Sequence, residues 1–454
     1  MKQILGEIIK GILIIAGVVP ATRQDTGPVP QKDETTIQKP STSEADHTTA
    51  PIVYSQLDSV GKFGGTGTVY VVNVKPDSLR DMSIAIQKEI DNIPDGTYNN
   101  PSIIRFRPGK YLTNGDLKNH PRGQKGVFWI EGRKNLIFDG NGAEFFTTAP
   151  AIPFGGNVGQ NNYSHRRHFW FNSSQNIVIK NLKISGSNTI RGRDLAPGAP
   201  VFWKGEKDNG SLGNAPGYQP YWEFEHGISI HNGNNFLIEN VEINGMWGDG
   251  IYLGNTPTAP TTNVAIRHSF IQNTGRQAIA LCNAQYILID SVTTSLGRRA
   301  AIDLEPYSSD GFVTDVEIRN SSFQTAMTFI AALGKGDVSN IYIHHNDYTT
   351  SGHTIVCRDS DRQNPVTRKN WRFENNVRNG AFGSPIADIR FTKTDSIFIR
   401  NNINSISSRQ SRIAAGFDDC NNVVLEQNDF GDAQWVNVND ELIDLEKFTK
   451  KIKQ

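Results

Sequence analysis

Four charged residues in the middle of the chain have the types and spacing that acid–base chemistry on a polar substrate requires. Asp303 and Glu305 are two residues apart in AAIDLEP (300–306), and Arg276 and Arg299 precede them. In a β-strand, residues i and i+2 point to the same face, so these two backbones would lie ~7 Å apart. That separation is nearer the ~6.5–9.5 Å of inverting glycoside hydrolases than the ~5–5.5 Å of retaining ones. The pair is therefore a candidate for catalysis or ligand contact, and its spacing favours the inverting class if the reaction is glycoside hydrolysis. The structural alternative is ion pairing with the two arginines.

The carboxylate pair belongs to a stretch, residues 227–306, in which a short apolar run, a polar corner and a charged turn recur. From residue 236 onward the apolar triplets follow one another at steps of 28, 23, 29, 25, 30, 26 and 26 residues. A parallel coil explains the pattern, because each short strand then pairs with its equivalent one turn away at ~4.8 Å. Asn or Asp follows most triplets and would stack in a ladder at one corner, whereas an antiparallel sandwich would require hairpin turns and shorter spacing. The triplets are residues 136–138, 177–179, 236–238, 264–266, 287–289, 316–318, 341–343, 371–373, 397–399 and 423–425.

The strands that follow the charged turns must carry the candidate chemistry. They are residues 226–232, 249–255, 277–283 and 300–306. Alternation along a strand places one set of apolar residues inside the coil, namely Ile228, Ile230, Ile251, Leu253, Ile279, Leu281, Ile302 and Leu304. Three outward columns result, which are Ser229, Tyr252, Ala280, Asp303; His231, Gly254, Cys282, Glu305; and, in the turns, Glu225, Gly248, Arg276, Arg299.

These columns predict an exposed floor of small residues with a polar rim, which suits an extended sugar chain lying flat. The floor consists of Gly254, Ala280 and Cys282. Besides the carboxylates and arginines, the rim holds His231 and Tyr252 as candidate substrate-binding residues. For His231, an ordinary solvated or structural histidine is the alternative.

Residues 186–226 form a long insertion that interrupts the repeat and enters the strand at 226. Its rings Trp203 and Trp222 could stack on the apolar faces of sugars, and Glu225 could contact substrate or supply an acid. The alternative is that the rings only pack the insertion against the coil, since a long loop needs a small core of its own.

Composition excludes several functional classes. The 46 basic and 46 acidic residues balance, so no broad electrostatic attraction to nucleic acid or to an anionic membrane is expected. The three cysteines are far apart and have no C-x-x-C spacing, which argues against a zinc site and a disulfide framework. We expect neither a metal nor a cofactor.

The first sixty residues differ from the rest. Residues 1–21 contain an apolar run that fits a secretion signal or an uncleaved hydrophobic anchor, and it is too short for a stable membrane span. Residues 22–60 are rich in Thr, Pro, Gln, Ser and Asp and are predicted to be a flexible linker. A helix over 77–92 is predicted next, with Asp77 or Ser78 as its N-cap and Leu79 at the start of its apolar stripe.

The apolar triplets, the Asn corners and the helix at 77–92 together resemble right-handed parallel β-helix proteins of the pectate-lyase-like superfamily. The resemblance covers about residues 60–430 and implies an all-β fold of about ten coils with an N-terminal capping helix. It divides the chain into an N-terminal cap at 61–115, the coil at 116–430 and a C-terminal cap or tail at 431–454. In such proteins ligands usually lie across the sheet predicted above to carry Asp303.

Asp249, in the turn sequence WGDG, resembles the Gly-Asp turns of polygalacturonase-like hydrolases and is a third candidate catalytic carboxylate. The paired Asp-Asp, Gly-His-Gly and Arg-Ile-Lys motifs of that family are absent, which argues against pectin hydrolysis in particular. A turn aspartate that caps backbone amides is the structural alternative for Asp249.

The resemblance implies a secreted protein that binds, and as an enzyme degrades, an extracellular polysaccharide. Hydrolysis ranks above β-elimination, because no calcium-type Asp cluster accompanies Arg276 and Arg299. One alternative is a phage tailspike in the virion tail, a homotrimer attached to the particle through residues 1–60. A second alternative is a glycan-binding adhesin without enzymatic activity.

Overall fold

The computed structural model describes residues 55–115, 126–149, 166–188, 224–325, 328–350, 352–358, 368–379, 388–404 and 413–451. Residues 1–21, and with them the predicted signal or anchor, lie outside the described residues, as do Trp203 and Trp222. No helix within the described ranges is both long enough and apolar enough to cross a membrane.

Strands dominate the described residues, and the helices are confined to the two ends. A 3-10 helix (Ser55–Ser59), α1 (Ser83–Asn92) and α2 (Leu445–Lys451) are the helical elements. The strands are β1 (Thr68–Val71), β2 (Ser102–Arg105), β3 (Gly109–Leu112), β4 (Gly126–Glu131), β5 (Lys134–Phe146), β6 (Arg167–Asn172), β7 (Gln175–Ser185), β8 (Ile228–His231), β9 (Asn234–Asn244), β10 (Ile251–Gly254), β11 (Thr261–Arg267), β12 (Phe270–Gln272), β13 (Ile279–Cys282), β14 (Ala284–Asp290), β15 (Thr293–Gly297), β16 (Ile302–Leu304), β17 (Phe312–Arg319), β18 (Ser322–Thr325), β19 (Ile330–Ala332), β20 (Asp337–His344), β21 (Asp347–Thr350), β22 (Ile355–Cys357), β23 (Arg368–Glu374), β24 (Val377–Arg378), β25 (Ile389–Thr392), β26 (Thr394–Arg400), β27 (Ile403–Asn404), β28 (Ile413–Asp418), β29 (Asn421–Glu426), β30 (Trp435–Val438) and β31 (Glu441–Asp444).

The strands form a parallel coil with three faces. Face 1 is a twelve-stranded sheet made of β4, β6, β8, β10, β13, β16, β19, β22, β25, β28, β30 and β31. Its strands are parallel except for the last pair, β30 and β31. The other nineteen strands adjoin as one sheet that bends into two faces, because β5, β7 and β9 are long enough to cross the corner between them. Face 2 carries the apolar triplets, and face 3 carries the short strands that follow them. The predicted all-β parallel β-helix is therefore confirmed.

The register of face 2 is the triplet register read from the sequence. Phe236 pairs with Val264, Val264 with Ile287, and Ile287 with Val316, and the same correspondence continues to β29. The outer two residues of most triplets are buried in the core. Each such side chain stabilises the coil by about 1.5–3 kcal/mol, so a shift in register would expose apolar surface in every turn at once.

Asparagine ladders hold corners of the coil on both sides of the triplets. The predicted one follows them, where Asn240 donates from Nδ2 to Oδ1 of Asn181 at 2.9 Å. A ladder that precedes the triplets was not predicted: there Asn176 donates from Nδ2 to Oδ1 of Asn135 at 2.9 Å, and Asn235 donates in the same way to Asn176 at 2.8 Å. All three have a positive φ between 55° and 61°. Asparagine adopts this left-handed conformation more readily than other residues with a side chain, and its amide can both donate and accept along the ladder.

The capping helix α1 covers the N-terminal end of the coil, but it starts later than predicted. It begins at Ser83 after Met82, and Leu79 is 88% exposed instead of lying on the packed stripe. The reason is local: the Asp77 carboxylate accepts hydrogen bonds from the N–H groups of Leu79 and Arg80. These bonds form a separate turn at this point, so the helix begins only after it. Gln87 on α1 exchanges hydrogen bonds with the backbone of Trp129 and so ties the helix to β4.

The predicted linker at 22–60 is wrong for residues 55–60. Together with residues 61–63 they form a strap that packs against the outside of face 2. Leu57 is completely buried there with Val60, against the middle residues of four triplets, which are Val178, Leu237, Ala265 and Leu288. Residues 55–60 are ordered despite their polar composition, because Leu57 and Val60 pack against an apolar stripe that already exists on the coil.

Candidate active site on face 1

The turns that lead into face 1 stack in the predicted order. The N–H of Gly248 bonds to the carbonyl of Glu225, that of Arg276 to Gly248, and that of Arg299 to Arg276, at 3.1–3.3 Å. The next positions pair as Ser229 with Tyr252, Tyr252 with Ala280, and Ala280 with Asp303. The inward isoleucines and leucines of these strands are fully buried. The columns read from the sequence are therefore columns of the structure.

The predicted exposure of this surface is wrong. Cys282 is 1% exposed, Ala280 2% and Asp303 4%, and Tyr252 and Arg276 are also buried. Glu305, like Arg299 and His231, is half-buried and marks the more open side of the site. Strand alternation shows which side chains point into the coil and which point out of it. It does not show whether the outward side chains are covered, because that depends on how other parts of the chain pack over them. The site is thus an enclosed carboxylate cluster and not an open floor.

Gln277 connects two candidate carboxylates that belong to the coils on either side of its own. Its side-chain Nε2 donates to Oδ2 of Asp303 at 2.6 Å, and its backbone N–H donates to Oδ1 of Asp249 at 3.1 Å. Gln277 follows Arg276 in the turn before β13, so its backbone is fixed by the coil. The amide therefore orients the Asp303 carboxyl group from below the strand that carries it.

Asp249 lies at the bottom of the cluster and is completely buried. The Nη1 atom of Arg276 is 3.7 Å from its Oδ2, so this arginine pairs with Asp249. The backbone N–H of Asp249 donates to Nδ1 of His226 at 3.0 Å. Because that nitrogen accepts a hydrogen bond, a neutral His226 ring carries its proton on Nε2. The ring stacks on Tyr252 at 5.1 Å and 9°.

The electrostatics favour a protonated Asp303. Burial raises the pKa of its carboxyl group well above the usual range, and the nearby charges of Glu305 and Asp249 raise it further. Arg276 and Arg299 act in the opposite direction without reversing the shift. A carboxylic acid whose pKa is raised keeps its proton to higher pH and can then donate it, which is the property required of a general acid.

The other titratable groups of the cluster are poor nucleophiles. Burial raises the pKa of the Cys282 thiol well above its ordinary value, and Glu305 and Asp303 add to the shift, so the reactive thiolate is disfavoured. Burial likewise raises the pKa of the Tyr252 hydroxyl. Among the described residues no group of three His, Cys, Asp or Glu side chains could hold a metal ion.

Glu225 occupies a different position from the one expected of a substrate ligand. It is buried, and its Oε2 forms an ion pair with Nη2 of Arg166 at 2.8 Å. Arg166 also donates to the backbone carbonyl groups of Asn114 and Ala149. The pair joins the turn before β8 to the start of β6, a structural contact on which the position of His226 depends.

Comparison with known proteins agrees with the fold of this coil. A family model described as "Right handed beta helix region" matches residues 221–371. The chain is a right-handed parallel β-helix protein. No curated protein sequence matches it.

Two solved structures resemble the β-helix over most of its length. The surface protein and adhesin PfbA of Streptococcus pneumoniae has a TM-score of 0.54 at 14% identity, covering 82% of this chain and all of that one. A hyperthermoactive exopolygalacturonase from Thermotoga maritima has a TM-score of 0.51 at 11% identity, covering 86% of this chain and 96% of that one. At such identities the likeness concerns the fold alone.

The β-helix also brings to face 1 residues that the sequence reading missed. Arg167 and Trp170 lie on β6 and Trp129 on β4, two strands that were not recognised as part of this face. The signal was present: Phe128, Phe169 and Ile228 each stand eight residues before a triplet, and they pair in register. Gln277 had no such signal, because its role depends on a side-chain contact between coils.

Proposed function

We propose that this β-helix binds a polysaccharide at face 1 and hydrolyses a glycosidic bond there. The observation that carries the proposal is the buried Asp303, with its raised pKa, two residues from the half-buried carboxylate of Glu305 on the same side of the strand. The ~7 Å spacing of two such residues suits an acid and a base acting from opposite sides of the bond.

In the proposed reaction Asp303 is the general acid and Glu305 the general base. Asp303 gives its proton to the glycosidic oxygen as the bond from that oxygen to the anomeric carbon breaks. Glu305 takes a proton from a water molecule, whose oxygen bonds to the anomeric carbon from the other side. The products are two shorter sugars with inverted configuration, and the two carboxyl groups return to their starting states by proton exchange with water.

The remaining site residues have supporting roles in this proposal. Arg276 and Arg299 stabilise the Asp303 carboxylate that forms when the proton leaves. Asp249 acts through its charge, which holds the proton on Asp303 in the resting state. The half-buried ring of His231 offers a contact surface for the sugar beside the scissile bond, and the buried ring of Tyr252, 5.3 Å away, supports it from below.

The test is release of reducing ends from acidic polysaccharides (polygalacturonate, alginate) and neutral ones (xylan, β-glucan). We expect Asp303→Asn and Glu305→Gln to lose at least 100-fold in kcat, while Asp310→Asn, at an exposed position beyond the strand, keeps full activity. Circular dichroism of all three variants checks the fold. Full activity in both site variants would remove this pair from the mechanism, and an unsaturated product would indicate elimination.

A second proposal is glycan binding without cleavage. Its support is the structural similarity to an adhesin, because the match covers the whole of the adhesin chain. It predicts that the protein is retarded in gels containing one of the four polysaccharides while no reducing ends appear. Either function would take an extracellular polysaccharide as the partner.

A further inference from the structure

Four rings in contact form a continuous row on the outer side of face 1, next to the carboxylate cluster. Trp129 on β4 lies 4.5 Å from Trp170 on β6, Trp170 lies 5.6 Å from His231, and His231 lies 5.3 Å from Tyr252 on β10. We call Trp129, Trp170, His231 and Tyr252 the aromatic row. It spans four successive strands, so it runs along the axis of the coil.

Among the described strand positions, the row lies on the N-terminal side of the carboxylates. The positions that continue the Asp303 column toward the C-terminus are Ala331, Val356, Arg390 and Gly416, none of which is aromatic. In this column, rings that could match an apolar sugar face therefore lie on the N-terminal side. This asymmetry indicates the direction in which a bound glycan would extend from the carboxylate pair, which the pair alone does not indicate.

The length of the row indicates the size of its ligand. From β16, which carries Asp303, to β4 there are five strand-to-strand steps at ~4.8 Å, or roughly 24 Å, about the length of four or five sugar rings. At the far end Trp129 is half-buried, so part of its ring is accessible, whereas Trp170 beside it is buried and holds it in place.

A positive charge accompanies the rings. The guanidinium carbon of Arg167 lies 5.4 Å from the centre of the Trp170 ring. Arg167 is itself buried, so it places a positive charge and planar hydrogen-bond donors directly beside the rings. Donors next to apolar rings are a combination suited to the hydroxyl edges and apolar faces of a sugar.

From this arrangement we infer that the aromatic row supports an extended glycan-binding track: the half-buried rings of His231 and Trp129 contact the sugar chain, the buried rings of Tyr252 and Trp170 hold them in place, and Trp129 contacts sugars about four or five units away from the bond at Asp303. The inference rests on the proposed function, because it assigns the substrate a direction across face 1. It predicts that affinity rises with the length of the glycan until the chain reaches Trp129.

The experiment uses the full chain carrying Glu305→Gln, so that no substrate is consumed. Retardation in gels of polygalacturonate, alginate, xylan and β-glucan identifies the polymer, and calorimetry then uses its di-, tetra- and hexasaccharides. We expect Trp129→Leu to weaken hexasaccharide binding about 3- to 10-fold and to leave the disaccharide unchanged. Trp129→Phe keeps a ring and should recover most of the loss, and Tyr98→Leu, at an exposed aromatic residue on the N-terminal part of the coil, is the matched control.

The outcomes separate the track from the proposed function. Equal weakening at all lengths, or no weakening in a variant with an unchanged melting temperature, would overturn the track and leave hydrolysis at Asp303 in place. A length-dependent loss combined with full activity of Asp303→Asn would keep the track and overturn the mechanism. If no polymer retards the protein, both inferences are wrong.

Discussion

The side chain of Gln277 donates to Oδ2 of Asp303 at 2.6 Å while its own backbone N–H donates to Oδ1 of Asp249 at 3.1 Å. One residue thus fixes two carboxylates that belong to different coils of the β-helix. A hydrogen bond donated to a carboxylate favours its charged form. Gln277 therefore orients the proposed acid and also limits how far its pKa rises.

Replacing Gln277 by methionine would remove the side-chain donor and keep the length of the side chain. We expect kcat to fall about tenfold or more with little change in KM, because the acid is no longer oriented. The basic limb of the pH–rate profile should also move to higher pH, since the Asp303 carboxylate loses a hydrogen bond that stabilised its charge.

The matched control for this change is Gln285→Met. Gln285 makes the same kind of contact between coils, donating to Asp315 at 2.8 Å, but on face 2. It should leave both kcat and the pH profile unchanged. Identical profiles for the two variants would show that Gln277 has only a structural role.

Asp303 should make the stability of the protein fall as the pH rises. Its folded-state pKa is raised by burial and by Glu305, so the folded state holds a proton that the unfolded state releases above pH ~3.9. The contribution of this Asp303 proton to the free energy of unfolding is fully present below that pH. It is lost as the pH rises toward the folded-state pKa. Asp303→Asn removes this dependence.

Thermal unfolding from pH 4 to pH 8 checks this sign. The melting temperature of Asp303→Asn, compared with that of the wild type, should rise progressively across this range, while Asp310→Asn should follow the wild type throughout. A constant difference, or one that shrinks toward pH 8, would contradict the raised pKa.

The strap at 55–63 should be held mainly by its apolar contacts. Leu57 is completely buried against face 2, so Leu57→Ala should lower the free energy of unfolding by about 2–5 kcal/mol or release the strap locally. Asp58 pairs with Arg267 and Arg319 at 3.1 and 3.3 Å, but its side chain is half exposed, so Asp58→Asn should cost less than 1 kcal/mol.

Limited proteolysis and denaturant unfolding can measure both variants, with the exposed Gln56→Ala as the control. Faster cleavage within the strap in Leu57→Ala alone is the expected result. If Asp58→Asn destabilised the strap more than Leu57→Ala did, the apolar contacts would not be the main interaction that holds the strap on face 2.

Asn376 is the buried centre of a further asparagine ladder. Its Nδ2 donates to Oδ1 of Asn402 and to the backbone carbonyl of Ile343, both at 3.0 Å, while its Oδ1 accepts from Asn346. Asn376→Ala should lower the free energy of unfolding by about 2–4 kcal/mol, because several buried polar groups lose their partners together. Chemical denaturation measures this, and the exposed Asn421→Ala should change it by less than about 0.5 kcal/mol; similar small values for both would contradict the ladder's importance.

Much of the fold was readable because the coil repeats. A triplet such as 264–266 has no meaning alone, but its distance to the next triplet equals the number of residues in one turn, and the register of face 2 follows directly. The start of α1 was not readable in this way. Asp77 is a good helix cap by type, and only the turn it makes with Leu79 and Arg80 shows that the helix begins at Ser83.

The sequence by itself determined the coil, the inward residues and the columns that place Asp303 and Glu305 on one side of face 1. Strand periodicity and repeat length are local properties, so they survive without knowledge of the tertiary structure. Only the tertiary structure decided that Asp303 is buried, that Gln277 holds it, that Arg276 pairs with Asp249 and that Trp129 joins the same row as Tyr252. These relationships join residues from different turns of the coil, and their distances depend on how neighbouring turns pack.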